Sequence, residues 1–281
     1  MISVERMPGI SSKLREWSPR CSNPDCSAQT LLRIARRHRG IRLADSWYCS
    51  PGCFRSAAAT RIAELCASSV KPLTTQKSRI PLGLMLHARG VLTKEQLEHA
   101  LDSHRTSGAN FGEAVQQLGF ATAEQVTAAV AAQWACPVFP LSDQPFAIPI
   151  RIPRRLLELY QMLPVHFAEN GRRLLIGFVT SVQYQILYTI EHMTECAVQP
   201  CFITAQNYER KLHSCPAPFA REDELLFEQV MNTSEIASIA TNYVVQVGAA
   251  QARIGRCRNY LWTRTWGRKG EVDLLFRVQS D

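Results

Sequence analysis

Residues 81–104 read PLGLMLHARGVLTKEQLEHALDSH and residues 110–133 read NFGEAVQQLGFATAEQVTAAVAAQ, so one 24-residue pattern occurs twice along the chain. In each copy a short apolar segment reaches a glycine, Gly90 or Gly119, and a Thr-x-x-Gln sequence follows. A glycine in this place favours the left-handed end of a helix, and Thr-x-x-Gln is the capping box that begins the next one. Each copy therefore predicts a pair of helices.

Apolar residues recur at equivalent positions of the two copies. They are Leu82, Leu86, Leu97 and Leu101 in the first copy, and Val115, Val126 and Val130 in the second. One helix pair cannot bury its apolar stripe alone, whereas two stacked pairs can bury theirs against each other. The repeat is therefore predicted to form one shared core.

Four cysteines near the N-terminus carry the strongest chemical signal. They lie in CSNPDC (residues 21–26) and WYCSPGC (residues 47–53) and are Cys21, Cys26, Cys49 and Cys53. Short loops containing Pro, Asp and Gly aim paired sulfurs at one point, and four thiolates complete the shell of a structural Zn²⁺ ion. A hairpin turning near Arg39 and Gly40, with a helix after Cys53, predicts a treble-clef-like zinc module. The alternative is four unrelated buried cysteines.

The remaining cysteines give weaker signals. Cys196 and Cys201 repeat the spacing of the first pair, but they lie in a strand-like apolar segment and are interpreted as core thiols. Cys66, Cys136 and Cys257 stand alone.

The composition is that of an ordinary globular chain, with 281 residues, 46% hydrophobic and 20% charged. No apolar run reaches the roughly 18 residues of a membrane span, and the N-terminus lacks the apolar core of a signal peptide. We therefore expect a cytoplasmic protein without membrane insertion. In a reducing compartment its ten cysteines are thiols or metal ligands rather than disulfides.

The net charge of +8 is concentrated at one end of the chain. Residues 1–80 hold 14 Lys and Arg against 5 Asp and Glu, whereas residues 81–281 hold 18 against 19. Nucleic acid is one candidate partner of such a segment, through the arginines of the predicted hairpin, which are Arg33, Arg36, Arg37, Arg39 and Arg42. The other interpretation is a solvated face that aids solubility.

Aromatic and basic residues also alternate near the C-terminus. They are Trp262, Trp266, Arg256, Arg258 and Arg264. The pattern fits a nucleic-acid platform or a half-buried sheet, and the half-buried sheet is the commoner case.

The order of segments predicts a multidomain α+β protein. The predicted parts are an N-terminal tail (1–16), the zinc module (17–67), a polar linker (68–78), the tandem helical repeat (79–141), an α/β segment (142–216) and a C-terminal helix with three antiparallel strands (217–281). Within the α/β segment, Asn170-Gly171 predicts a hairpin between two apolar strands.

The double motif, followed by IPRRLLELYQMLPV (residues 152–165) and the hairpin, resembles the N-terminal domain of the type II secretion and type IV pilus assembly ATPases. It is most similar to the variant in which two 24-residue motifs bind cyclic di-GMP. The resemblance covers roughly residues 79–213. It implies a protein partner, with the secretion or pilus machinery as the candidate.

The motifs depart from the family at their ends. The family's copies open with Arg-Leu-Gly and end in Gln, whereas Pro81 and Asn110 stand at the arginine positions and His104 replaces the first Gln. Other positions that the resemblance assigns to ligand binding are retained. They are Leu82, Gly83, Leu86, Phe111, Gly112, Val115 and Gln133. A dianionic ligand needs cationic partners, so we expect cyclic di-GMP to bind weakly or not at all.

The ATPase motor has no counterpart in this sequence. There is no Gly-Lys dipeptide, so no phosphate-binding loop of the G-x-x-x-x-G-K-[ST] type exists and ATP is not expected to bind. Acidic residues and histidines are scattered without catalytic spacing. The sequence therefore favours a non-enzymatic, zinc-containing adapter or regulatory protein. The alternative is a zinc-dependent regulator that binds nucleic acid through its basic N-terminal hairpin.

Overall fold

A computed structural model of the chain describes residues 20–28, 40–67, 79–141, 148–168, 170, 172–214 and 224–279. These residues form two compact units. Unit 1 combines both ends of the chain, residues 1–69 and 221–281, and unit 2 comprises residues 70–220. The mixed helices and strands confirm the predicted α+β class. None of the helices that the structure describes has the length and hydropathy of a membrane span.

Helices and strands are numbered along the chain. The helices are α1 (Pro51–Ala67), α2 (Leu82–Ala88), α3 (Lys94–Ser107), α4 (Phe111–Gln117), α5 (Ala123–Gln133), α6 (Arg154–Leu159), α7 (Tyr184–Thr194), α8 (Ala205–Ser214) and α9 (Thr233–Gln246). The strands are β1 (Ile41–Leu43), β2 (Ser46–Tyr48), β3 (Met162–Ala168), β4 (Arg173–Phe178), β5 (Ala197–Phe202), β6 (Glu224–Phe227), β7 (Ala249–Cys257), β8 (Tyr260–Gly267) and β9 (Gly270–Arg277).

A six-stranded sheet in the order β2-β1-β7-β8-β9-β6 forms the centre of unit 1. Strands β7, β8 and β9 are antiparallel neighbours, as predicted for the C-terminal segment. Strand β1 runs parallel to β7, with Leu43 opposite Ala252, and β6 runs parallel to β9. Helices α1 and α9 pack against each other and against this sheet.

The sequence-based division treated the zinc module and the C-terminal segment as separate modules, and the structure corrects this. Strand β1 has three residues and pairs with both β2 and β7. A short hairpin is barely stable by itself in water, so it gains by joining a larger sheet. Parallel pairing between distant segments leaves no local signal, which is why the sequence did not predict it.

The hairpin of the predicted zinc module turns at a different place. Strands β1 and β2 meet at Ala44 and Asp45, and Ala44 takes a positive φ of 50°. Gly40 does not make this turn but lies under the indole of Trp47, where an added Cβ would come within 2.2 Å of Trp47 Nε1. Its small size serves packing. The segment expected to precede Gly40 as the first strand falls largely on residues 29–39, outside the described part of the chain.

The tandem repeat occupies the start of unit 2 and forms the predicted helices, α2 to α5. Thr93 and Thr122 make complete capping boxes with Gln96 and Gln125. Gly90 and Gly119 both have a φ of 70°. The N–H groups of Val91 and Phe120 bond to carbonyls five residues earlier, those of Leu86 and Val115. Both copies therefore end their first helix with the same Schellman motif.

A three-stranded sheet completes unit 2 in the order β3-β4-β5. Strands β3 and β4 are antiparallel, consistent with the predicted hairpin, and β4 pairs parallel with β5. Helix α8 begins after Thr204, whose Oγ1 accepts a hydrogen bond from the Asn207 N–H at 3.2 Å. Cys196 and Cys201 are buried thiols at β5, as interpreted from the sequence.

Candidate metal centre

Four cysteine side chains converge in unit 1. The Sγ atoms of Cys21, Cys26, Cys49 and Cys53 all lie within 4.8 Å of one another. The Cys49 Sγ atom is 3.5 Å from that of Cys26 and 3.9 Å from that of Cys53. Tetrahedral Zn–S bonds of about 2.3 Å separate the sulfurs by about 3.8 Å, whereas a disulfide requires about 2.05 Å. The cluster has the spacing of a thiolate metal site, and the four cysteines are free thiols.

The first pair of sulfurs is held by a tight turn. The Asn23 side-chain oxygen accepts a hydrogen bond from the Asp25 N–H, and the Asn23 carbonyl accepts one from the Cys26 N–H, each at 3.2 Å. This Asx turn brings Cys21 and Cys26 to the same side of the loop. The Ser22 N–H donates to the Trp47 carbonyl at 2.9 Å and attaches the loop to β2.

The second pair lies at the start of α1. Pro51 begins the helix, where a residue without an N–H loses no hydrogen bond. Ser50 caps it, since its Oγ accepts from the Cys53 N–H at 3.2 Å and its carbonyl from the Phe54 N–H at 3.0 Å. The helix dipole is positive at this end and favours a thiolate at Cys53, in the first turn.

The thiols differ in acidity because they share one small volume. Burial, followed by hydrogen bonds with Cys26 and Cys21, raises the pKa of Cys49 to about 12. Burial also raises the pKa of Cys21. Burial tends to raise the pKa of Cys53 as well. Hydrogen bonds with Ser50, Asn23 and the neighbouring thiols outweigh this effect and lower the pKa of Cys53 to about 7. Four thiolates coexist at these distances only around a cation, so metal binding displaces protons.

The donor set fits Zn²⁺ and a structural role. Four soft thiolates fill a tetrahedral shell and leave no position for a substrate or a reactive water. In the part of the chain that the structure describes, no other group of three or more His, Cys, Asp or Glu side chains converges in this way. A catalytic metal would require three ligands and an open position.

The glycines of the repeat lie at a helix crossing. An added Cβ at Gly83 would lie 2.6 Å from Leu97 Cδ1 and 2.9 Å from Phe111 Cζ. At Gly112 the equivalent neighbours are Val126 Cγ1 at 3.1 Å and Leu82 Cδ2 at 3.6 Å. Each opening apolar residue therefore packs on the glycine of the other copy.

The last residues of the two motifs form a second reciprocal contact. His104 Nδ1 lies 2.5 Å from the carbonyl oxygen of Ala109, just before the second motif. Gln133 Nε2 donates to the carbonyl of Ile80, just before the first motif, at 2.6 Å. The end of each copy is thus hydrogen-bonded to the start of the other, and both side chains have a role in closing the repeat.

The remaining framework residues divide by burial. Leu86, Val115, Gly83 and Gly112 are buried, whereas Leu82, Phe111 and Gln133 are half-buried. Pro81 precedes α2 without a side-chain cap, and Asn110 caps α4 by accepting from the Glu113 N–H at 2.9 Å. Neither position carries a cation. Arg79 stacks on the Trp134 ring at 3.2 Å from its centroid, and Arg105 pairs with Asp102 at 3.6 Å.

The proposed nucleic-acid contacts are only partly described. Arg42 lies on β1 with its side chain exposed, whereas Arg33, Arg36, Arg37 and Arg39 lie outside the described residues. In the C-terminal pattern Trp262 and Arg264 are buried, at 0% and 4% exposure, whereas Arg258 is exposed. Arg256 donates from Nη1 to the carbonyls of Leu65 and Cys66, at 3.0 Å each.

The buried pair of Arg264 and Asp273 was not predicted. The guanidinium donates to both carboxylate oxygens at 2.7 Å, and Trp262 Nε1 donates to the same carboxylate at 2.6 Å. The register of β8 and β9 places the two charges opposite each other. The alternation of Trp and Arg in YLWTRTW was visible in the sequence, but the partner carboxylate required the strand register.

Comparison with known proteins finds similarity to solved structures only. No protein-family model and no curated protein matches the chain. A structure of MshE with cdg matches at 20% identity and a TM-score of 0.41, covering 48% of this chain and 99% of that one. The N-terminal domain of XpsE matches at 15% identity and a TM-score of 0.37, covering 47% and 91%. The chain is similar to these N-terminal domains over about half of its length, as its sequence indicates.

Proposed function

We propose that this chain is a non-enzymatic adapter in which a structural zinc ion holds unit 1 and the repeat-bearing unit 2 recognises a protein partner. The observation that carries the proposal is the convergence of four free thiols within 4.8 Å. Four cysteines in a reducing environment gather in this way around a metal, and their closed shell supports folding rather than catalysis.

The adapter role is supported by what the sequence lacks and by how the repeat is built. The sequence has no phosphate-binding loop of the kind that the ATPase motors use. The glycines, His104 and Gln133 of the repeat all make internal contacts between the two copies. The repeat therefore serves as architecture. The sequence resemblance makes components of type II secretion or type IV pilus machinery the first partners to test.

Two measurements on the purified full-length chain test this proposal. We expect no ATP hydrolysis above background and stoichiometric co-elution with a secretion or pilus component in size-exclusion chromatography. Leu84 lies on the exposed side of α2, at 51% exposure, so Leu84→Asp tests whether this helix takes part. Turnover that tracks the protein through two chromatography steps would contradict the proposal.

A nucleic-acid-binding regulator is the second candidate, favoured by the excess of basic residues in residues 1–80. Phosphate contacts by lysine and arginine release counterions, so affinity would fall steeply with salt. A mobility shift of labelled DNA or RNA at increasing salt measures this. Replacing Arg33, Arg36, Arg37, Arg39 and Arg42 by Gln would abolish the shift if these arginines are responsible.

A further inference from the structure

The apolar core of unit 1 is shared between segments from the two ends of the chain. The N-terminal segment supplies Ile41, Leu43, Tyr48, Phe54, Ala58 and Ile62. The C-terminal segment supplies the larger part, including Ile236, Ala240, Val244, Ile254, Leu261, Leu274 and Phe276. Helix α1 buries one stripe, formed by Phe54, Ala58 and Ile62, and its neighbours are α9, β1, β2 and β7. Without the C-terminal segment this stripe would lose most of its cover.

Hydrogen bonds join the two segments at two places, the hairpin and the end of α1. The Ala44 N–H, in the turn of the hairpin, donates to the Ala252 carbonyl on β7 at 3.1 Å. At the other end Arg256, also on β7, binds the last carbonyls of α1 at Leu65 and Cys66. Both carbonyls lie in the last turn of α1, so Arg256 acts as a cap at the C-terminal end of this helix.

The four cysteines lie where they set the angle between the hairpin and α1. Cys49 follows β2 directly, and Cys53 lies in the first turn of α1. The loop of Cys21 and Cys26 adds the other two sulfurs and is attached to β2 through Ser22. A metal bound here therefore fixes the two elements that meet the C-terminal segment.

Building on the structural zinc site proposed above, we propose that metal binding at the four cysteines controls the folding of the described part of unit 1. This part includes the C-terminal helix and strands, whose Arg256 binds the Cys66 carbonyl from 190 residues further along the chain. Unit 2, whose residues lie between the two segments in the sequence, folds without the metal. The availability of the metal thus switches the C-terminal sheet between a folded and an unfolded state. A metal that binds only the folded state stabilises every element that folds with it.

Hydrogen exchange of the full-length chain tests the proposal directly. Zinc-loaded protein is compared with protein treated with a zinc chelator under a thiol reductant. Removing zinc is expected to raise exchange by at least about tenfold in α1 and equally in β8 and β9, since one cooperative unit opens together. Strand β4 and helix α7, in unit 2, are expected to stay unchanged. In protein that elemental analysis shows to hold one zinc per chain, faster exchange confined to residues 21–67, or no change in any segment, would overturn the proposal.

Cys49→Ser is expected to reproduce the effect of the chelator in β8 and β9. Cys136→Ser is the matched control, because Cys136 is half-buried in unit 2 and outside the cluster. Equal exchange in β8 and β9 of the two variants would count against the proposal.

The reciprocal effect provides an independent test. If the C-terminal core and the metal stabilise one folded state, loosening that core must weaken zinc binding. Leu261→Ala, at a fully buried position of β8, is expected to weaken zinc affinity by about tenfold or more in competition with a chromophoric chelator. Ile254→Val, which leaves a smaller cavity, is expected to weaken it less.

Leu174→Ala, at a fully buried position of β4 in unit 2, is the matched control and is expected to leave zinc affinity unchanged. Unchanged affinity in both Leu261→Ala and Ile254→Val would show that the metal site folds by itself and would refute the proposal.

Discussion

At the scale of single residues, the buried charges of Arg264 and Asp273 in unit 1 are paired so closely that replacing either is expected to be costly. The Arg264 guanidinium makes a bidentate contact with Asp273, and its charge centre lies 4.8 Å from the Trp262 ring. Burying two charges is costly unless each is paired and hydrogen-bonded. Here both conditions are met, with the Trp262 N–H as an additional donor to the carboxylate.

We therefore expect Arg264→Met to lower the free energy of unfolding of unit 1 by about 3–5 kcal/mol, because it leaves the Asp273 carboxylate buried without its cation. The measurement is urea unfolding of the zinc-loaded chain, followed by tryptophan fluorescence. Arg277→Met is the matched control, since Arg277 lies on β9 and forms an exposed pair with Glu228 at 3.8 Å. The control is expected to cost under about 1 kcal/mol. Equal losses of unfolding free energy in the two variants would contradict the stabilising role given to the buried Arg264–Asp273 pair.

The glycines of the repeat give a second prediction at this scale. Gly83→Ala places a Cβ at 2.6 Å from Leu97 Cδ1, whereas at Gly112 the nearest atom is 3.1 Å away. Overpacking of this kind costs about 1–3 kcal/mol, so Gly83→Ala should lower the unfolding free energy of unit 2 more than Gly112→Ala. Urea denaturation monitored by circular dichroism checks the order. Gly52→Ala, whose nearest atom is 3.9 Å away in unit 1, is the control. The reverse order would contradict the crossing geometry.

The cysteine cluster predicts a pH dependence of zinc affinity. The pKa of Cys49 is raised to about 12 and that of Cys21 is also raised, so both thiols carry protons at neutral pH without the metal. Zinc binding must release these protons, and affinity is therefore expected to rise with pH and to fall as pH decreases below neutrality. Competition titrations at several pH values measure the slope. Affinity that does not change between about pH 6 and pH 8 would show that the ligands are already deprotonated.

At the scale of helices and strands, the sequence predicted those features that depend on residues close together in the chain. The capping boxes of Thr93 and Thr122 and the left-handed glycines, Gly90 and Gly119, are local features, and each formed where it was expected. The turn at Ala44 was missed because alanine carries no turn signal and Gly40 offered a stronger one. Strand β6 was missed because ELLF follows an acidic run that resembles a solvated loop.

The repeat provides a prediction for ligand binding at this scale. Pro81 and Asn110 stand where the motifs of the family that the sequence resembles have arginine, and Asn110 already caps α4. The loss of two charge-assisted contacts, at about 1.5–3 kcal/mol each, is expected to lower the affinity for a dianionic ligand by roughly 10²- to 10⁴-fold. Calorimetry with cyclic di-GMP is therefore expected to give weak binding or none. Pro81→Arg with Asn110→Arg should recover affinity. A low-micromolar dissociation constant for the natural chain would contradict this prediction.

At the scale of the whole molecule, the sequence predicted the helical repeat and the antiparallel C-terminal strands, but not that one sheet joins segments from the two ends of the chain. The convergence of the four cysteines was expected because paired cysteines on short loops are typical of thiolate metal sites. The partnership of β1 with β7 and of α1 with α9 depends on segments from opposite ends of the chain. Periodicity indicates that α1 has an apolar face, yet it cannot say which element covers that face.

X-ray absorption at the zinc edge of the full-length chain, purified under reducing conditions, tests most directly the claim that the four cysteines form a structural zinc centre. The account predicts one zinc per chain with four sulfur ligands at about 2.3 Å and no nitrogen or oxygen in the first shell. Protein without stoichiometric zinc, or a shell containing light-atom ligands, would contradict it.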